Sequence, residues 1–288
     1  MFALDPHYLN CTVYLYPSEK DAQEGTRVGG SGFIVSVQSR HPMRLFPHIV
    51  TNRHVVDGGN HFIRFNTKDG HTVVMQTKPD EWIISVDDDL ALLGTDLPKN
   101  VEWVAIDTEI FLDESCVIEG WPVFPGDEVF FYGRFISHDG KQRNKPVMRF
   151  GNISMLPDAN APVDMGSHEQ VAFLVECRSL SGFSGSPAFV KLAGTRLMHQ
   201  SDDKQGWIPS TVRLLGVDCG HFPFWSNVLE RRNLQAAAYS NMFVETNSGM
   251  AIIVPAWRLL RLINQEPLKS EREALERKLA EKSSATIS

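Results

Sequence analysis

Nowhere in these 288 residues do apolar side chains run on for the roughly 20 positions that a bilayer-spanning helix needs. The opening stretch, MFALDPHYLNCTVYLYP, has no basic start, and Asp5 and Pro6 stand where a signal peptide would place its apolar core. Both absences point to a soluble, cytoplasmic protein with no membrane partner. Cysteine is scarce: Cys11, Cys116, Cys177 and Cys219 are scattered, with no CxxC pair. That excludes a dense disulfide framework and the short paired spacings of a zinc site. Buried, reduced thiols are the expectation, and no metal or organic cofactor is implied. A basic stripe is missing too. Lys plus Arg number 28 against 35 Asp plus Glu, a net charge of −7. This is the wrong sign for a protein that gains affinity by neutralising nucleic-acid phosphates. No unit of about 20 to 50 residues repeats.

What remains is an ordinary globular composition, 42% apolar and 22% charged, on a chain long enough for one large domain or two small ones. Short β-type runs bounded by Gly, Pro, Asn and Asp dominate. They predict strands at 11–16, 32–37, 48–51, 61–66, 72–77, 82–86, 90–93, 115–120 and 128–136. A second series falls at 147–153, 170–176, 187–191, 212–218 and 250–254. Many short strands separated by turns indicate an all-β sandwich or barrel architecture. The polar stretch HDGKQRNKP at 138–146 reads as a linker, dividing the chain into halves 1–140 and 141–255. Helical spacing is confined to a tail, 256–288, either a solvated terminal helix or a docking helix for a partner. Residues 221–248 exceed a hairpin loop and read as a functional insertion or a decorated surface loop.

Three segments carry chemistry. VGGSGFIV (28–35) with HIVTNRHVV (48–56) places His54 just after a strand; VDDDLALL (86–93) puts an acidic group directly before an apolar strand; SGFSGSPAFV (181–190) is a glycine-rich turn bearing Ser184. Each alone is weak, but the order His, Asp, Ser is specific. On GSGFIV, TNRHVV, DLALL, GFSGSP, LLGVD and AIIVP, the chain resembles the trypsin-like serine peptidases of the chymotrypsin fold over about 28–255. It is similar in particular to their non-secreted prokaryotic branch and to the protease domain of the high-temperature-requirement family. The resemblance implies two six-stranded antiparallel β-barrels with a C-terminal helix. His54 and the acid would belong to the first barrel and Ser184 to the second.

The chemistry agrees. A serine hydroxyl attacks well only when a base removes its proton. Histidine changes charge near neutrality and can take that proton and return it to the leaving amine. A carboxylate behind the imidazole fixes its tautomer and stabilises its charged form. Strand alternation would put Asp87 and Asp89 on one face and Asp88 on the other; the family pattern, with the acid directly before Leu-Ala, selects Asp89. The resemblance also implies an oxyanion hole formed by the backbone N–H groups of Gly182 and Ser184. Gly185 is expected to permit a close approach of His54.

Phe183 stands where secreted relatives carry the Asp that pairs with a newly cut N-terminus. Gating by loops 155–169 or 221–248, or by an activating protein partner, is expected instead. The family's primary pocket maps onto Arg178, Asp218 and Gly220. Arg178 would favour an acidic side chain before the scissile bond, and Asp218 either neutralises it or attracts a basic one. The sequence thus predicts an intracellular serine endopeptidase acting on protein or peptide substrates, in stress quality control or as a prokaryotic defence effector. The alternative is a catalytically idle trypsin-like module that holds a peptide in its groove.

Overall fold

The computed structural model describes residues 6–27, 29–39, 45–118, 123–135, 140–166, 168–177, 182–192, 212–230, 233–237 and 242–285. The first half builds on β1 (Thr12–Tyr16), β2 (Gly30–Gln38), β3 (Leu45–Thr51), β4 (Phe62–Asn66), β5 (Thr72–Gln76), β6 (Ile83–Ile84), β7 (Ala91–Gly94) and β8 (Ile106–Asp107). They form one sheet in the order β5-β4-β1-β2-β3-β7-β6, with β8 parallel to β2. Val13, Leu15, Ile34, Ile49, Ile63, Phe65 and Leu93 fill its interior.

The second half comprises β9 (Glu128–Gly133), β10 (Val147–Met155), β11 (Val163–Asp164), β12 (Glu169–Gln170), β13 (Phe173–Glu176), β14 (Pro187–Lys191), β15 (Val212–Asn227), β16 (Leu229–Glu230), β17 (Asn233–Ala237) and β18 (Phe243–Pro255). Six of these close a barrel in the order β10-β13-β18-β15-β14-β9. Phe130 and Phe189, opposite each other on β9 and β14, stack with ring centroids 5.3 Å apart. Pairs of this kind add roughly 0.5–1.5 kcal/mol beyond their buried area.

The architecture is therefore mostly β with C-terminal helices, but the expectation of two closed barrels needs correcting: only the second closes. Between β5 and β6 the backbone turns through a 3-10 segment, Pro79–Glu81, where Pro79 lacks a donor for any ladder. The two-residue β6 then pairs only with β7. The expected strand at 82–86 shrinks to Ile83–Ile84, and that at 115–120 is a helix over Ser115–Ile118. The described residues of 221–248 are mostly strand. The ladder of β15 and β18 extends past the barrel as a two-stranded arm, from Pro223 opposite Asn247 to Asn227 opposite Phe243. The helix-friendly stretch near 233 instead supplies β17, paired with β16.

The stretch 138–146, expected to link the two halves, instead joins β9 to β10 of the same barrel, and its Lys141 and Asn144 are anchored on the first sheet. Buried Arg64 donates from Nε to Asn144 Oδ1 at 2.8 Å and from Nη1 to the Lys141 carbonyl at 2.6 Å. Its guanidinium lies 4.9 Å from the Tyr16 ring centroid, an arrangement that rewards a desolvated cation. The tail forms two helices, Ala256–Ile263 and Leu268–Ala285. The first buries Trp257, Leu259, Leu262 and Ile263 against the barrel core. The second seats Leu268 beside Gly94 but leaves Leu275 exposed. Beneath it, His48 is pushed down to about 4, by burial first and then by the charge of Arg272.

Candidate active site

The strand β3 ends at Thr51, and Asn52 takes an extended conformation ahead of a one-turn helix, Arg53–Asp57. Val55 and Val56 point into the core, so His54 is left on the outer face with its side chain half exposed. The acid lies opposite. Residues 87–89 form a bend, not a strand, closed by a bond from the Leu90 N–H to the Asp88 carbonyl at 2.8 Å. Strand alternation therefore does not apply to the three aspartates. Asp87 is exposed, whereas Asp88 and Asp89 are both buried, against different partners.

Asp89 faces His54. Its Oδ2 lies 2.6 Å from His54 Nδ1, and its Oδ1 accepts the His54 backbone N–H at 2.9 Å. An ionised carboxylate only accepts, so this contact assigns the ring proton to Nδ1 and leaves Nε2 with its lone pair. The Asn52 side-chain amide donates to the Asp89 carbonyl at 2.9 Å. Gln170, on β12, accepts the Asp89 N–H at 3.0 Å and donates to Asp88 Oδ1 at 2.8 Å. Arg258, on the first tail helix, pairs with the same Asp88 oxygen at 2.8 Å.

Ser184 occupies a turn in which Gly182 and Gly185 adopt φ of +96° and +85°, values that favour glycine. The turn docks on the first sheet through Ser31. The Ser31 N–H donates to the Ser184 carbonyl at 2.8 Å, and its hydroxyl donates to the Gly182 carbonyl at 2.7 Å. A Cβ on Gly185 would fall 2.0 Å from the Ser31 carbonyl and 2.5 Å from Thr51 Oγ1. The close approach at Gly185 is thus to Ser31 and Thr51, which corrects the expectation of His54. Gly30 lies between the His54 and Ser184 segments: a Cβ there would meet Val55 at 2.7 Å and the Ser184 carbonyl at 3.3 Å. Phe183 is buried beneath the Arg149 guanidinium, 5.0 Å from its ring centroid.

Asp218 is buried and joins the same turn through its backbone, accepting the Gly185 N–H at 2.8 Å and donating to the Ser186 carbonyl at 2.9 Å. Its carboxylate turns back along β15 to accept the Gly220 N–H at 3.0 Å. A Cβ on Gly220 would meet open space. Arg178 lies outside the described residues, so the structure does not place it against Asp218. A cleft of about 1070 Å³ runs past His54, bordered by Asp87, Met165, His168, Glu169 and Arg258. Cys219 also lines it; its thiol is held well above the ordinary range by burial, then by the charges of Asp89 and Asp218. All four cysteines are free thiols. Among the described residues no group of three or more His, Cys, Asp or Glu is placed to hold a metal ion, and no helix is long and apolar enough to cross a membrane.

Sequence reasoning missed Ser31, Asn52, Gln170 and Arg258, and weighed Asp88 only as a rival acid. Ser31 and Asn52 lie inside GSGFIV and TNRHVV and were open to notice. Gln170 and Arg258 reach Asp88 from 82 and 170 positions away, a distance no local pattern spans.

No curated protein matches the chain. Among solved structures, the Rv3671c protease of M. tuberculosis in its active form is similar at 15% identity and a TM-score of 0.47, covering 91% of this chain and 84% of that one. An inactive serine-to-alanine form of Rv3671c from M. tuberculosis H37Rv gives 14% identity, a TM-score of 0.47 and coverage of 91% and 92%. The family model for the trypsin-like peptidase domain matches residues 30–195. This span is more than half of the chain and holds His54, Asp89 and Ser184, and the chain belongs to the trypsin-like peptidase family.

Proposed function

We propose that the protein is a serine endopeptidase that cleaves protein substrates through an acyl-enzyme, with Ser184 as nucleophile, His54 as general base and acid, and Asp89 as the orienting carboxylate. The observation that carries this reading is the double contact between Asp89 and His54. One carboxylate oxygen holds the backbone N–H and the other holds Nδ1, at 2.9 and 2.6 Å. The ring is thereby fixed in rotation and in tautomer, which is the service a catalytic base needs.

In this mechanism His54 Nε2 takes the Ser184 proton as the oxygen attacks the scissile carbonyl. The N–H groups of Gly182 and Ser184 stabilise the resulting oxyanion, and preorganised donors of this kind supply a large part of the rate. The proton then passes to the departing amine, and water attacks the acyl-enzyme by the same route in reverse. Asp218 and Gly220 border the subsite for the side chain before the scissile bond, with Arg178 the third candidate there. We place the enzyme in the cytoplasm, its activity set by a protein partner or by the loops around the cleft. The apolar anchoring of Phe183, where a zymogen-type pairing would need a carboxylate, favours that form of control.

A fluorophosphonate probe tests the assignment. The intact chain should be labelled at Ser184, Ser184→Ala should lose the label, and a peptide library should be cut. A folded chain that stays unlabelled, with and without cell extract as a source of activator, would make it an idle peptide-binding module. Ester turnover without peptide cleavage would make it an esterase.

A further inference from the structure

Every polar atom of Asp89 is engaged. Its carboxylate and its carbonyl are held by Asn52 and His54, in the turn that follows β3. Only its N–H is held from elsewhere, by Gln170 Oε1 at 3.0 Å. The other bonds around this bend, from the Asp88 N–H to Ser85 Oγ at 3.2 Å and from the Leu90 N–H to the Asp88 carbonyl at 2.8 Å, are local. Gln170 is fully buried and its amide is fully used: Nε2 donates to Asp88 Oδ1 at 2.8 Å and to the Val171 carbonyl at 3.1 Å. The site requires an acceptor and a donor on one planar group, and a carboxamide is the side chain that supplies both. Asp88 is in turn held by Arg258 Nη1, and these two side chains are only 8% and 17% exposed.

We propose that Gln170 and Arg258 are positioning residues for Asp89. Together they form a relay in which the first tail helix sets Asp88, Asp88 sets the Gln170 amide, and Gln170 sets the peptide plane from which the Asp89 carboxylate projects toward His54. The claim rests on the serine-peptidase reading and extends the catalytic unit beyond its triad. The β11–β12 hairpin and the Ala256–Ile263 helix thereby become parts of the site. The physical reason is the short reach of an aspartate. With two rotatable side-chain bonds, a tilt of its peptide moves the carboxylate off His54, and misplacements of about 1 Å at a catalytic centre cost up to about a hundredfold in rate.

The test uses Gln170→Leu and Arg258→Gln in the full chain, with two readouts. The first is the split between kcat and KM on a short peptide substrate. Gln170→Leu should lower kcat on the order of tenfold to a hundredfold with KM nearly unchanged. In the Asp89→Asn background it should cost nothing further, because the group it positions is gone. The second is the far-downfield proton resonance of His54 Nδ1–H, which needs no turnover. It should move upfield or vanish in Gln170→Leu and shift in the same direction, by less, in Arg258→Gln. Should Gln170→Leu fail to fold, Arg258→Gln on the cleft wall carries both measurements. An unmoved resonance in a folded variant, or an equal rate loss with and without Asp89, would overturn the relay. A wild-type chain that neither labels nor turns over would instead sink the peptidase reading, and the resonance alone would then decide the relay.

Discussion

Replacing Asp89 by Asn changes one charge and almost no volume, yet the local geometry dictates a large effect. The His54 backbone N–H lies 2.9 Å from Oδ1, so the new amide must present its carbonyl there. Its NH₂ is then turned toward His54 Nδ1, the position now 2.6 Å from Oδ2. An NH₂ cannot accept a proton, so Nδ1 becomes the acceptor and the ring proton moves to Nε2, the atom that should receive the Ser184 proton. The expected loss in kcat/KM at neutral pH is about 10⁴-fold, equivalent to about 5.4 kcal/mol of transition-state stabilisation. Stability should change by no more than about 1 kcal/mol, since the shape is kept. Probe-labelling rates and peptide hydrolysis give the first quantity, and urea midpoints the second. Asp88→Asn is the matched comparison: it keeps an oxygen for Gln170 and Arg258 and should cost activity a few-fold at most. A loss below about tenfold for Asp89→Asn, or a larger loss for Asp88→Asn, would refute the reasoning.

Four further outcomes are expected. Ser184→Ala should remove peptide turnover by about 10⁵- to 10⁶-fold while leaving the urea midpoint within about 1 kcal/mol of wild type; residual activity near the wild-type rate would remove Ser184 as nucleophile. Gly185→Ala forces a Cβ to 2.0 Å from the Ser31 carbonyl at a φ of +85°, so strain and overpacking should together destabilise by about 2–5 kcal/mol and weaken labelling; unchanged melting would contradict the docking of this turn. His48, depressed to about 4 in the fold from 6.5, stays neutral while the unfolded chain takes up a proton, so stability should fall as pH drops from about 6.5 to about 4, by about 3 kcal/mol. His48→Leu should flatten that part of the urea-midpoint profile, and an unaltered profile would exclude His48. Cleavage profiling should separate the pocket readings: an acidic preference abolished by Arg178→Ala, a basic one abolished by Asp218→Asn, or small aliphatic residues, which would rule out both charges.

The family was legible in the sequence because the residues proposed for catalysis sit in local patterns. His54 lies three residues past the end of β3, Asp89 directly before Leu90 and Ala91, and Ser184 between two glycines whose positive φ the turn demands. Local backbone sterics and β-type patterning act over a few residues, so they leave a readable trace. Strand alternation, which set Asp88 apart from Asp87 and Asp89, does not hold, because residues 87–89 prove to be a bend.

Tertiary structure decided the rest. Whether the first sheet closes depends on strands β5 and β6 meeting, and the Pro79–Glu81 turn and the brevity of β6 prevent it. The arm built by β15 and β18 depends on cross-strand pairing between residues 16 to 24 positions apart, where the helical propensity of the intervening segment is overridden. The apolar periodicity of the tail announced its helices but gave no sign that Arg258 would pair with Asp88, or that Gln170 would support both aspartates. A buried charge and a buried amide acquire partners only when distant segments converge, because their cost in a low-dielectric interior must be met by groups brought there by the fold. The residues proposed as a triad are therefore written in the chain, while the hold on Asp89 exists only once both halves and the tail have packed.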